Sequence, residues 1–190
     1  MKQYIDKKLK NSVKTIVLKH PVCDGMKQFN LVKWKNHTDK SIILLGQHMR
    51  RISSIYELQT NLKKMWLHGS RWDDIMRERR DDDLKMSNLN VNLSSVELVY
   101  LNNNEYDNAV CENIILIDLL DSSANNSILE MMYANIPFFV KNLPAVVEYV
   151  GVDYPMLFDD ISEVEYKLAD EIELNKLYET THEYLKEINK

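Results

Sequence analysis

Glycine is scarce in this chain of 190 residues, which holds only Gly25, Gly46, Gly69 and Gly151. With that spacing neither a G-x-G-x-x-G turn nor a Walker loop can form, so the usual glycine-rich phosphate cradles are excluded. Cysteine is scarcer still. Cys23 and Cys111 stand far apart, which excludes a disulfide framework and a structural zinc site and leaves two free thiols. No apolar run approaches the roughly 18 to 20 residues of a membrane span. The opening Met1-Lys2-Gln3-Tyr4-Ile5-Asp6-Lys7-Lys8 lacks the apolar core of a signal peptide, so no integral membrane segment and a cytoplasmic location are expected. A net charge of -5 gives no general attraction to nucleic acid or anionic lipid. Ser-His-Asp and Cys-His signatures are missing as well, which argues against nucleophilic catalysis.

What is present suits one compact domain with a sizeable core: 45% of residues are hydrophobic and 28% charged. Short apolar runs at residues 13–18, 41–45, 64–67, 96–101, 113–119, 136–140 and 156–158 read as strands. Helical patterns near residues 54–63, 72–85, 105–111, 126–133 and 144–150 separate them. That alternation predicts an α/β fold: a single Rossmann-like parallel sheet with helices on both faces. From Ile161 onward the apolar spacing predicts two consecutive helices with a break near Asn175, so that residues 160–190 form C-terminal helices. Their stripe docks either on the domain's own sheet or on another chain.

The most informative stretch runs from Asn113 to Gly151, where an apolar strand enters a small polar loop that opens a helix. A helix start exposes backbone N–H groups that have no intrahelical partner and carries the positive end of the dipole, so it binds phosphate without a lysine. Ser122, Ser123, Asn125, Asn126 and Ser127 surround this start. Glu130, an acceptor when ionised, follows within two turns, at the reach of a nucleotide ribose. The same residues fit a second reading: Ser127-Ile128-Leu129-Glu130 matches the S-x-x-E capping box, in which Glu130 folds back on its own helix. A second segment, Ser41-Ile42-Ile43-Leu44-Leu45-Gly46, ends in glycine and is followed by Gln47-His48-Met49-Arg50-Arg51. A guanidinium forks onto phosphate oxygens and keeps its charge, so Arg50 or Arg51 suits a diphosphate. His20 and His48 stand at strand ends, where a histidine either touches a ligand or packs. Asp81-Asp82-Asp83 contains a D-x-D triplet of the kind that holds a divalent cation. It ends a charge-dense helix rather than a strand, however, and no metal is assigned to it.

The segment 113–151 resembles the C-terminal, donor-binding half of GT-B glycosyltransferases. Retaining members of that family place a loop glutamate eight positions before a helix glutamate, with glycines between and an Ala/Gly/Pro pattern after. This chain keeps the second carboxylate as Glu130 and the following pattern as Met131-Met132-Tyr133-Ala134-Asn135-Ile136-Pro137. Ser122 stands where the first would be, with Asp121 one residue earlier, and Asn125-Asn126-Ser127 replaces the glycines. The chemistry of the first carboxylate therefore does not transfer. The resemblance implies a hexosyl-type transferase whose substrate is a UDP- or GDP-sugar and which uses no further cofactor. It implies donor contacts at Gly46, Arg50, Arg51, Ser123, Asn125, Asn126, Ser127 and Glu130, with Arg50 and Glu130 as the catalytic pair. The loop after Leu101, with residues 102–104 and Tyr106, is where a base would be read in such a fold; the alternative for Tyr106 is a place in the core. A chain of 190 residues is too short for two GT-B halves. The acceptor and any general base would come from an acceptor-binding partner chain or a homodimer. The alternative is a non-catalytic nucleotide-sugar binding or interaction module.

Overall fold

The structure, a computed structural model, describes residues 25–69, 73–122 and 125–190. The strand expected at 13–18, His20, Cys23, Trp72 and Ser123 lie outside the described residues.

Six strands form one parallel sheet: β1 (Ser41–Leu45), β2 (Lys63–Leu67), β3 (Val96–Val99), β4 (Ile114–Ile117), β5 (Phe138–Lys141) and β6 (Leu157–Phe158), in the order β3-β2-β1-β4-β5-β6. The two central strands, Ser-Ile-Ile-Leu-Leu and Ile-Ile-Leu-Ile, are buried along their whole length. This is why they read as continuous apolar runs rather than as alternating patterns. Chain direction across the sheet reverses between β1 and β4, whose registers pair Ile43 with Ile115. Right-handed crossovers then send the helices after β1 and β2 to one face and those after β3, β4 and β5 to the other. The first pair is α2 (Ser53–Glu57) and α3 (Asp73–Met86); the second set is α4 (Asn103–Glu112), α5 (Asn126–Tyr133) and α6 (Pro144–Val150).

Local chemistry sets the boundaries. Asn102 and Glu105 form a reciprocal capping box at the start of α4, and Asp160 and Glu163 do the same for α7 (Ile161–Leu168). Asp170 accepts from the amides of Ile172 and Glu173 and so starts α8 (Glu171–Ile188). The break between the last two helices therefore falls at residues 169–170 and not near Asn175, which continues within α8. The helix expected over 54–63 ends at Glu57: Leu58 turns extended and is fully buried, and β2 begins at Lys63. A helix that the periodicity missed, α1 (Leu31–Asn36), is capped by the Asn30 side chain. It carries Trp34, which stacks on Tyr178 of α8 with ring centroids 3.7 Å apart. Leu174, Tyr178, Thr181, His182 and Leu185 bury the stripe of α8 in its own domain. The D-x-D triplet is used structurally. Asp83 accepts from the amides of Ile52 and Ser53, closing an end of α2 that has no side-chain cap of its own, while Asp81 pairs with Arg80.

Candidate functional site

In an open parallel sheet, ligands bind beyond the carboxyl ends of the strands where strand order reverses. Here that point lies between β1 and β4, and the chain is shaped there by Gly46. Its φ of 88° is a left-handed conformation that glycine adopts without strain. A Cβ on Gly46 would stand 2.8 Å from Nη2 of Arg50. Without one, the guanidinium lies flat against the backbone. The segment then doubles back: Met49 takes φ 54°, Arg50 bridges Leu119, the amide of Leu120 donates to Met49 (2.9 Å), and that of Arg51 donates to Asp118 (3.1 Å). The loop after β1 is thus zipped to the loop after β4.

The two neighbouring arginines go to different places. Arg50 is 4% exposed and donates from Nε to the carbonyl of Leu45 (2.6 Å), from Nη1 to that of His48 (2.9 Å) and from Nη2 to Oγ of Ser127 (3.2 Å). Burial lowers its pKa to about 10, which leaves it charged at neutral pH. Arg51 instead forks onto Glu57, with Nη2 at 2.6 and 2.8 Å from the two carboxylate oxygens. His48 is exposed and contributes its carbonyl to Arg50.

Opposite the β1 loop stands the start of α5. Its N-cap is Asn125, whose Oδ1 accepts from the amide of Ile128. Ser127 is therefore the second helical residue, and its hydroxyl meets Arg50. Glu130 lies too far along the helix for a capping box. It faces α4, where its Oε2 accepts from the hydroxyl of Tyr106 at 2.7 Å. Burial raises the pKa of Glu130, the Tyr106 hydrogen bond lowers it, and the charge of Asp107 raises it. Tyr106 is itself held neutral, first by burial and then by Glu130.

These groups surround a cleft of about 570 Å³, within the range of small-molecule sites. Gly46, His68, Tyr100, Tyr106, Ser127 and Glu130 are among its walls, as are Asn103 and Asn104 at the start of α4. Asn102 spends its side chain on capping α4. Arg50 lies against two wall residues, Gly46 and Ser127, without being part of the wall. His68 and Tyr100 were missed in the sequence. Each directly follows a strand, β2 or β3, at the carboxyl edge where ligands bind, and that position was the available signal.

On the other side of β4's end a second carboxylate is sealed in. Asp118 is 1% exposed, and neither of its oxygens makes a well-formed hydrogen bond to a described residue. Burial raises its pKa to about 6 against the opposing charges of Arg51 and Lys141. Among the described residues no group of acidic, histidine and cysteine side chains is arranged to hold a metal ion, and no helix is long and apolar enough to cross a membrane.

No family model matches the chain, and no curated protein matches it in sequence. Solved structures match its fold. A sucrose-phosphate synthase from Thermosynechococcus elongatus aligns with TM-score 0.65 and 14% identity over 97% of this chain and 51% of its own. A glycosyltransferase from Rickettsia africae aligns with TM-score 0.54 and 11% identity over 85% and 51%. An α,α-trehalose-phosphate synthase (UDP-forming) from Burkholderia vietnamiensis gives TM-score 0.50 and 11% identity over 83% and 46%. The chain spans about half the length of each. Its structural neighbours are GT-B glycosyltransferases, and the chain has the fold of one half of such an enzyme.

Proposed function

We propose that the chain is the donor-binding half of a cytoplasmic glycosyltransferase and holds a UDP- or GDP-sugar in the cleft at the β1/β4 switch point. The observation that carries this reading is the convergence of three unlike groups there: the start of α5, the buried guanidinium of Arg50, and a Glu130 carboxylate turned away from capping. The amides of Asn126 and Ser127, with no intrahelical partner by helix geometry, take the diphosphate. Arg50 adds its charge through Ser127, and two of its five N–H groups are uncommitted among the described residues. Glu130 accepts from the ribose hydroxyls, and the base lies toward Tyr100, Asn103 and Asn104.

Transfer breaks the bond between the anomeric carbon and the terminal phosphate oxygen. The acceptor hydroxyl forms the new bond and gives up its proton. The protein's part is to stabilise charge on the departing diphosphate with fixed donors, without a metal ion. Arg51, engaged with Glu57, serves the loop rather than the ligand. A base for the acceptor comes from a second, acceptor-binding unit, a partner chain or another copy. One observation favours a second reading: Ser122 in place of the loop glutamate fits a module that binds nucleotide sugar without transferring it.

Thermal unfolding against UDP-, GDP-, ADP- and CMP-sugars and the free nucleotides tests binding. A ligand at one hundred times its Kd adds about 2.7 kcal/mol, so a selective shift for one base is expected. No shift across the panel contradicts the donor site, and a shift without transfer in the presence of a partner favours the module.

A further inference from the structure

Glu130 is held in place by a residue of a different element. A glutamate on a helix surface has three rotatable torsions and loses side-chain freedom when fixed. In its half-buried position the charged form is also disfavoured, and Asp107 adds to that. The group that answers both is the Tyr106 hydroxyl, 2.7 Å from Oε2. Tyr106 is in turn well anchored: its ring packs against the core, and it begins one residue after the Asn102–Glu105 capping box that pins the start of α4. A rigid aromatic side chain thus delivers one donor to one carboxylate oxygen and leaves Oε1 for a ligand, among the described residues.

We infer that Tyr106 is a positioning residue, which fixes the Glu130 carboxylate as acceptor for the vicinal ribose hydroxyls and so makes the cleft select ribonucleotides over dideoxynucleotides. This rests on the nucleotide reading of the cleft and adds a specificity device to it. The hydroxyl of Tyr106, once its proton is committed to Glu130, keeps lone pairs that can accept from the ligand. The groups that bear on this pair are Tyr106 and Asp107 from α4, Arg50 from the β1 loop acting on Tyr106, and His68 and Ser127 in the same cleft walls.

Calorimetric binding of uridine and guanosine diphosphates and of their 2′,3′-dideoxy forms, from about pH 5.5 to 8, tests this on the wild type, Tyr106→Phe, Glu130→Gln and the double variant. The wild type is expected to prefer the ribo form. Tyr106→Phe should lose roughly tenfold in ribonucleotide affinity, about one charge-assisted hydrogen bond, with little loss for the dideoxy form. Its acid-side fall in affinity should also move to higher pH, because the ionised carboxylate has lost its donor. Glu130→Gln should abolish the preference and any pH dependence that the ribo form shows and the dideoxy form does not, and adding Tyr106→Phe to it should cost nothing more. A Phe variant with the wild-type preference and pH profile overturns the inference and leaves the nucleotide reading standing. Wild-type protein that binds neither form overturns the two together, and protein that binds both equally overturns the inference and the ribose contact of Glu130. Should Tyr106→Phe fail to fold, Glu130→Gln decides: a retained ribo preference overturns the inference.

Discussion

Two carboxylates flank the carboxyl end of β4, and their surroundings differ in ways that separate the proposed binding site from a structural liability. Glu130 lies in a cleft wall, takes a hydroxyl donor from another helix, and shares that wall with Ser127 at the start of α5, to which Arg50 donates. Asp118 is sealed beneath the zipped loops, with Arg51 already committed to Glu57 and no well-formed hydrogen bond to a described residue. Both are pushed by burial toward the neutral form. Only Glu130 is equipped to stay charged next to an open volume, which is what recognition of a hydroxyl-rich ligand needs. Perturbed acidity alone would have picked out Asp118. Convergent geometry picks out Glu130.

The largest expected effect lies with the arginine on the cleft side. Arg50→Ala leaves the carbonyls of Leu45 and His48 without their buried donor and should cost about 3 kcal/mol in urea unfolding, with loss of nucleotide binding. Arg51→Ala should cost under about 1 kcal/mol and leave binding intact, since it breaks a partly exposed pair. Equal costs would erase the distinction between the two sides.

Next comes Asp118 itself. Its folded pKa of about 6 lies above the ordinary value of 3.8, so the folded state holds more protons in that interval. The contribution of Asp118 to stability should therefore be full below about pH 4, fall away as pH rises to about 6, and stay absent above, a change of at most about 3 kcal/mol at 1.4 kcal/mol per pKa unit. Asp118→Asn should remove this fall, which urea unfolding at the two ends of the range would show. A stability difference between the wild type and Asp118→Asn that stays constant across that interval contradicts the sealed environment of Asp118. The smallest effect sharpens the pair: Arg51→Ala should move the Asp118 fall to higher pH, because Arg51 supplies the leading opposing charge.

Much of the sheet was legible because parallel strands buried on both faces are continuous apolar runs, and all six strands expected within the described residues form. The start of α5 was legible to within a residue from the polar cluster 125–127, although its cap proved to be Asn125 and not Ser127, whereas α1, capped by Asn30, went unread because it has only six residues and no sustained period. The break before α8 was misplaced because Asp170 as a cap outweighs the fading of apolar spacing near Asn175. At the site, the helix start, Gly46 and Glu130 were readable from one stretch of chain each. What could not be read locally was long-range pairing: Arg50 with Ser127, 77 positions apart, and Tyr106 with Glu130, 24 apart. These pairings separate Arg50 from Arg51 and turn Glu130 toward Tyr106 instead of a capping box.

The most direct measurement is nucleotide affinity and folding stability of Glu130→Ala side by side. The account predicts that UDP or GDP binding weakens roughly tenfold, while the loss in stability stays at about 1 kcal/mol, as expected for the Tyr106 hydroxyl left without its acceptor. A loss of about 1 kcal/mol in stability with unchanged binding would contradict it and return Glu130 to a structural role.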